Sequence, residues 1–164
     1  MILRISFAGK HVFPTSQEEV DGLISEAIRY ITPGEGGDGN GPWHDAGFSF
    51  LEPDAPFPSA FLRLAANEAT GFGALVWCVF GREGGIYDDA WISDNPTPSE
   101  IDSRLVCDAY YPRFHDPASA VPLPQVREAI KEFCRSGTGE RPESIAWVTG
   151  EINGPRNDRP PFED

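Results

Sequence analysis

The sequence predicts an α+β fold in which a mainly antiparallel sheet of about five to seven strands packs against two principal helices, at about residues 16–31 and 124–136. Apolar residues recur at helical spacing in those two segments, whereas short runs of strand-forming residues separated by turn residues fill much of the remainder. The 17 glycines and 16 prolines among 164 residues indicate frequent turns, and 40% hydrophobic residues argue against global disorder. A turn-rich but folded chain is therefore expected.

The N-terminal part of the chain predicts a strand followed by an amphipathic helix. Leu3, Ile5 and Phe7 alternate with polar residues, which is the period of a half-buried strand. Ser16, with Glu19 three residues later, has the capping-box pattern of a helix start. The helix then carries a continuous apolar stripe, made of Val20, Leu23, Ile24, Ala27, Ile28 and Ile31.

Several later runs have the composition of strands. They are Ala46–Leu51, Ala60–Ala65, Gly73–Phe80, Ile86–Ser93 and Leu105–Tyr111. The run Gly73–Phe80 has no polar break, which predicts a central strand that is buried on both faces. The intervening Asn67–Gly71 supplies turn residues for a hairpin, so an antiparallel sheet is the expected arrangement.

The segment from Ala120 to Val148 predicts a second helix and a closing strand. Its apolar residues lie on one helical face: Val126, Ala129, Ile130 and Phe133. Pro124 suits the first turn of this helix, and Gly137 suits a left-handed cap at its end. The short run Ser144–Val148 is rich in strand formers and follows a turn.

Length and charge bound the class of protein. We expect one domain at residues 1–150 and a mobile polar tail at 151–164, because the proline-rich tail has almost nothing to bury. The 13 basic and 26 acidic residues give a formal net charge of -13, which disfavours binding to nucleic acid or anionic membranes and favours a basic partner. The alternative is that the acidity only keeps the protein soluble.

The cysteines and the N-terminus suggest a protein of the cytoplasm. Cys78, Cys107 and Cys134 are odd in number, far apart and without zinc-ligand spacing, so we expect buried thiols. The N-terminus lacks a basic leader followed by a long apolar run, and no stretch reaches the roughly 18 apolar residues of a membrane span. A cytoplasmic location is the resulting expectation.

Patterns that would carry catalysis or cofactor binding are weak. Gly34–Gly39 contains Gly-x-Gly-x-x-Gly, but it follows a helix where a dinucleotide site would open one, so we expect a flexible loop. Asp88 and Asp89 would point to opposite sides of a strand and could not form an acid/base pair. No Gly-x-Ser-x-Gly elbow occurs, and the histidines lie among turn residues: His11, His44 and His115. The sequence therefore predicts no catalytic residue, no cofactor and no metal.

A protein-binding surface is the candidate site that the residues favour. On a strand at Ile86–Ser93, a core-facing Ile86 and Ile92 would leave two aromatic side chains outward beside carboxylates. Such a surface suits contact with a basic protein, because aromatic residues dominate interfaces and charges steer encounter. The predicted partner-binding residues are Tyr87, Asp88, Asp89, Trp91 and Asp94. The alternative is that the first helix covers this face.

Several short motifs in a fixed order resemble those of a known family. They are Asn67–Gly71 with Gly73–Trp77, Ser93–Pro96, Ser119–Leu123, Val126–Ala129 with Phe133, Gly137–Gly139, Arg141–Glu143 and Trp147. Over residues 59–148 this series is similar to the first-numbered immunity family of bacterial polymorphic toxin systems. The resemblance implies an α+β protein that is encoded beside a secreted toxin and neutralises it in the producing cell.

The resemblance also implies the chemistry of the partner. Members of that family commonly accompany deaminase-type toxins that act on nucleic acid, so the expected partner is a basic cognate toxin whose active site is covered. Phe133 and Trp147 are then interpreted as fold residues, and no enzyme activity is expected. Two alternatives stay open: a small metal-independent hydrolase or transferase using His44 or His115, and an acidic nucleic-acid mimic, which would bind many basic proteins.

Overall fold

The computed structural model describes residues 1–33, 44–108 and 113–160. Within these ranges the chain forms an α+β structure, which confirms the predicted class. Its helices are α1 at Gln17–Ile31 and α2 at Leu123–Ser136. Its strands are β1 at Ile2–Phe7, β2 at Lys10–Val12, β3 at Ala46–Leu51, β4 at Ala60–Asn67, β5 at Phe72–Val79, β6 at Ala90–Asp94, β7 at Val106–Asp108, β8 at Arg113–Phe114, β9 at Val121–Pro122 and β10 at Ala146–Gly150.

One antiparallel sheet contains most of these strands. Its order is β10-β6-β5-β4-β3-β1-β2, and β9 adds a short pairing to β5. The pairs β1–β2 and β4–β5 are hairpins, which antiparallel geometry allows through short connections. Strands β7 and β8 form a separate two-stranded ladder.

Both helices pack on one face of the sheet, and local signals set their ends. Ser16 Oγ accepts a hydrogen bond from the Glu19 N–H at 3.1 Å, as the capping pattern predicts. Gly137 closes α2 in the left-handed conformation with φ of 66°, which a residue with a Cβ adopts only at a cost. The apolar stripes of both helices join one core beneath them, which includes Ile24, Ile28, Phe48, Trp77, Ile130 and Phe133.

The opposite face of the sheet is covered by irregular chain. Ala65 and Ala74 of the central strands pack there with Leu105 and Ala120. Arg63 Nη2 donates to the carbonyl oxygen of Ile152 at 2.7 Å, so the segment after β10 also lies on this face. Covering on both sides leaves nearly all of β5 buried, as the unbroken apolar run predicts.

The segment 151–160 has defined contacts of its own. Gly150 and Arg156 form an isolated antiparallel bridge, and the Arg156 side chain is 3% exposed. The guanidinium of Arg156 donates to Asp94 Oδ1 at 2.8 Å, to Asp158 Oδ1 at 2.8 Å and to Ser119 Oγ at 3.2 Å. The domain boundary at residue 150 and the mobility of the tail stay predictions, and residues 161–164 lie outside the described part of the chain.

Two of the predicted strands differ in extent from the strands of the structure. The predicted strand Ile86–Ser93 is wrong in its first half, because Gly85–Asp88 forms a 3-10 helix and β6 begins only at Ala90. The expected strand from Leu105 is found at Val106–Asp108, and its continuation through Tyr111 lies outside the described residues. The glycine-rich stretch Gly34–Gly39 lies outside them as well.

Candidate functional site

The connection from β5 to β6 is built around two glycines. Gly84 and Gly85 have φ of 92° and 63°, backbone conformations that favour glycine, and they end the alternation on which a strand at Ile86 depended. The 3-10 turn that follows is closed by Asp88, whose Oδ1 accepts a hydrogen bond from the Gly84 N–H at 2.8 Å. The exposed carboxylate of Asp88 is therefore held in place by its own loop.

Tyr87 joins this connection to the loop that follows α2. Its hydroxyl donates to Glu140 Oε2 at 2.9 Å, and Arg82 Nη1 donates to Glu140 Oε1 at 2.6 Å. The Arg82 guanidinium also lies 3.8 Å from the centre of the Tyr87 ring and donates to the Tyr87 hydroxyl. The bond to the Glu140 carboxylate raises the pKa of Tyr87, because loss of the phenolic proton would break that bond and place two negative charges together.

The Trp91 side chain contacts both the β5–β6 connection and the loop that follows α2. It pairs directly with the buried Trp77 in the sheet, so both side chains are on the face that carries the helices. The indole Nε1–H of Trp91 donates to the Ile86 carbonyl oxygen at 2.8 Å, and the Arg141 guanidinium lies 4.2 Å from the centre of the Trp91 ring. Ile92 is buried as predicted, on the opposite face of the sheet. The expectation that Tyr87 and Trp91 face outward is wrong, because both pack, partly buried, against the helix-side core.

The five predicted partner-binding residues divide into three positions. Tyr87 and Trp91 are half-buried, and Asp88 and Asp89 are exposed beside them. Asp94 lies on the other face of the sheet, where its carboxylate pairs with Arg156. The structure thus brings the first four residues together and separates Asp94 from them, while their role in binding stays a prediction.

The loop after α2 is attached to the sheet by hydrogen bonds from two tryptophan side chains and by a close approach of Gly139. Trp77 Nε1–H donates to the Gly139 carbonyl oxygen at 3.0 Å, and Trp147 Nε1–H donates to the Pro142 carbonyl oxygen at 2.7 Å. Gly139 has φ of 73°, and a Cβ built there would lie 2.4 Å from the Ala60 Cβ, so only glycine lets this loop approach the sheet. The loop is consequently fixed against β4 and β5.

We name residues 82–89 and 140–143 the acidic surface. It carries more carboxylates than guanidiniums: Glu83, Asp88, Asp89, Glu140 and Glu143 against Arg82 and Arg141. The contribution of Glu140 and Glu143 was missed from the sequence, because 53 residues separate Glu140 from Tyr87. The only local signal was the pair of glycines around Thr138, which indicated a tight turn.

His115, a candidate base in the enzyme alternative, is buried. Its ring is close to Gly154 and Cys107, and its Nδ1 has no hydrogen-bond partner among the described residues. Burial, aided by the positive charge of Arg63, lowers the pKa of His115 to about 3. The imidazole is therefore neutral at physiological pH, and it is 6% exposed and lies against Gly154 of the 151–160 segment.

Burial of His115 predicts a pH-dependent stability. An unfolded histidine binds a proton near pH 6.5, whereas the folded one does so only near pH 3, so this contribution is complete above about pH 6.5 and is lost as the pH falls. From pH 7 to pH 5 the parent chain should lose about 2 kcal/mol of unfolding free energy through this one group. Urea unfolding of His115→Gln at both pH values should show a clearly smaller loss, and an equal loss in both proteins would contradict the assignment.

The other two histidines border a shallow depression at the β1–β2 hairpin. The depression has a volume of about 330 Å³, and its lining includes Lys10, Tyr30 and Asp45. The His44 ring lies 4.7 Å from the Tyr30 ring, and Ser6 Oγ lies 2.7 Å from His11 Nδ1. This exposed serine–histidine pair was not predicted from the sequence. A catalytic triad also needs a carboxylate that orients the histidine, and in the described part of the chain none is bonded to His11.

The remaining chemistry of the described residues is modest. Burial raises the pKa of the thiols of Cys78 and Cys107 to about 11 and that of Cys134 to about 12, which leaves them protonated and unreactive. No group of His, Cys, Asp or Glu side chains in residues 1–33, 44–108 and 113–160 is arranged to hold a metal ion. No described helix has the length and apolar composition needed to cross a bilayer.

Comparison with known proteins adds one positive finding. A family model described as Immunity protein Imm1 matches residues 8–149, a range that contains both helices and the sheet strands other than β1, with β10 lacking only its last residue. No curated protein matches the chain. No solved structure matches it either.

Proposed function

The chain belongs to the Imm1 family of immunity proteins, and from this premise we propose that it neutralises one cognate toxin by binding it one-to-one and covering its active site. Family membership is the observation that carries the proposal, because an immunity protein implies a toxin partner. The resemblance to proteins that accompany deaminase-type toxins extends it to a toxin that acts on nucleic acid.

Charge supports a basic partner. A toxin that binds a polyanion needs positive potential near its active site, and a chain with a formal net charge of -13 would be attracted to that potential. The acidic surface presents Asp88 in an orientation fixed by the Gly84 N–H and holds Glu140 between Arg82 and Tyr87. Carboxylates fixed before binding can take the place of substrate phosphates without a further cost of ordering.

Binding without chemistry fits the described side chains. His115 is covered and neutral, and the thiols of Cys78 and Cys107 are buried, so these groups are withdrawn from solvent. Ser6 and His11 form an exposed pair, but no carboxylate is bonded to His11 among the described residues. An inhibitor needs only a stable surface of the right shape and charge. The hydrogen-bonded loops of the acidic surface supply such a surface.

Reversing charge on the acidic surface should weaken toxin binding. We expect Glu83→Lys with Asp89→Lys to raise the Kd for the cognate toxin by about tenfold to a hundredfold, mainly through a slower association rate. Both side chains are exposed, so the melting temperature should stay close to that of the parent chain. Stopped-flow or surface-based kinetics at low and moderate salt would measure the effect, which should shrink as salt rises.

A matched control separates this surface from total charge. Glu100→Lys with Glu151→Lys changes the net charge by the same amount. Both residues are exposed, and they lie in the segments that cover or border the opposite face of the sheet. The control should bind with nearly the parent association rate. If both double variants weaken binding equally, overall charge and not the acidic surface attracts the toxin.

A further inference from the structure

Exposed apolar side chains collect at one end of the sheet. The strands β1 and β4 begin there, and β3 and β5 end there. Exposed apolar residues come from the start of β1, from the connection between β3 and β4, and from the position after β5. Met1, Ile2, Phe57 and Phe80 are 47%, 50%, 78% and 51% exposed. We name these four residues the sheet-end patch.

Backbone contacts bring the members of the patch together around Ser59. The Phe80 N–H donates to the Ser59 carbonyl oxygen at 2.9 Å, so Phe80 follows directly where β5 pairs with the start of β4. The Ser59 hydroxyl lies 3.5 Å from the Met1 sulfur, and Phe57 is two residues earlier in the same connection. These bonds place the Phe80 backbone and the Met1 sulfur at Ser59, so the exposed apolar residues share one end of the sheet and are not scattered over the surface.

The sheet-end patch adjoins the acidic surface. Phe80 lies two residues before Arg82, and the Gly139 turn packs against Ala60 at the start of β4. Further exposed carboxylates, Glu52 and Asp54, lie in the connection that carries Phe57. An apolar centre beside carboxylates is the arrangement of a protein interface whose partner is positively charged.

The charge of the surroundings selects the occupant. A second copy of this chain would bring its own carboxylates against Glu52, Asp54 and Glu83, and like charges opposed across an interface repel each other. A basic protein would be attracted by the same groups. The charge around the patch thus favours a positively charged partner over self-association.

Resting on the proposed function, we infer that the sheet-end patch is the apolar centre of the toxin interface, with Phe57 and Phe80 inserting into apolar contacts on the toxin. The acidic surface forms the flank of this interface and guides approach. The two parts have separate kinetic signatures, because buried apolar contacts control dissociation while flanking charges control association and its salt dependence.

Binding kinetics of the full-length chain with its cognate toxin test this inference. Phe57→Ser with Phe80→Ser should raise the Kd by about a hundredfold or more, through faster dissociation and with an unchanged salt dependence of association. Ile101→Ser with Ile152→Ser is the matched control, because these residues are 60% and 46% exposed and belong to the chain covering the opposite face. The control should keep the parent Kd to within about threefold.

The possible outcomes separate the inference from the proposed function. If the parent chain binds and the Phe57/Phe80 variant binds equally well, the sheet-end patch is not the centre of the interface, and neutralisation through another surface still stands. If that variant instead turns a dimer of the parent into a monomer without weakening toxin binding, the patch serves self-association and the inference is overturned. Failure of the parent chain to bind the toxin overturns both. Should the double variant unfold, Phe57→Ser alone, at the most exposed position, makes the same test.

Discussion

Replacing Arg156 with alanine is expected to lower the free energy of unfolding by about 3–5 kcal/mol. The substitution removes a guanidinium that is 3% exposed and that bonds Asp94 in β6, Asp158 in the C-terminal segment and Ser119 before β9. Ser119 is fully buried and the Asp94 side chain is 22% exposed, so water replaces this charged donor only in part. Urea unfolding at neutral pH measures the loss.

Arg159 is the matched control for this prediction. It belongs to the same segment and pairs with Asp116 at 3.3 Å, but its side chain is 48% exposed. Because water screens such a pair, Arg159→Ala should cost at most about 1 kcal/mol. Equal losses for the two alanine variants would mean that Arg156 does not fix the C-terminal segment to the sheet. Arg156→Lys should fall between parent and alanine variant, since one ammonium cannot reproduce the fork of the guanidinium.

Replacing Phe133 with alanine is expected to cost about 3–5 kcal/mol. Phe133 of α2 is fully buried, and its ring lies 5.2 Å from that of Phe50 in β3, so the side chain joins the second helix to the sheet. Removing the ring leaves a cavity that close-packed neighbours fill only in part. Thermal and urea unfolding should both show the loss.

The same substitution at an exposed phenylalanine is the control. Phe57→Ala removes a ring that is 78% exposed and should change the free energy of unfolding by no more than about 0.5 kcal/mol. A small effect at Phe133 would mean that α2 is held to the sheet by other contacts. A large effect at Phe57 would show that the sheet-end patch contributes to folding, and it would weaken its assignment as a binding surface.

The sequence predicted best those features that depend on near neighbours. The Ser16 cap, the Gly137 helix end and the β4–β5 hairpin each follow from residues within a few positions of one another, and the structure confirms all three. The apolar periods of the two helices are equally local. Together they were enough to predict the α+β class.

Features that join distant residues could not be predicted. The polar composition of the tail gave no sign that Arg156 would be buried, because its partner Asp94 is 62 residues away. The alternation of apolar and polar residues through Ile86–Ser93 led to a wrong strand start, because Gly84 and Gly85 turn the backbone there. Which face each side chain of β6 occupies is set by the pairing of Trp91 with Trp77, which the sequence does not show.

The candidate site was found in part from the sequence. Tyr87, Asp88 and Asp89 do lie together on the surface, but the carboxylates of Glu140 and Glu143 reach it only through the turn at Gly139. The resemblance to immunity proteins is confirmed by the family match, whereas the deaminase class of the toxin and the cytoplasmic location stay predictions. Exposed Phe57 and Phe80 gave no signal, because single apolar residues in loops are common and their meeting around Ser59 requires the fold.

Survival of cells that produce the toxin encoded beside this protein tests the central claim most directly. Co-expression of the parent chain should restore growth, and co-expression of a soluble, folded variant carrying Glu83→Lys, Asp89→Lys, Phe57→Ser and Phe80→Ser should not. Unchanged killing in the presence of the folded parent protein would contradict the conclusion that it acts as an immunity protein for that toxin.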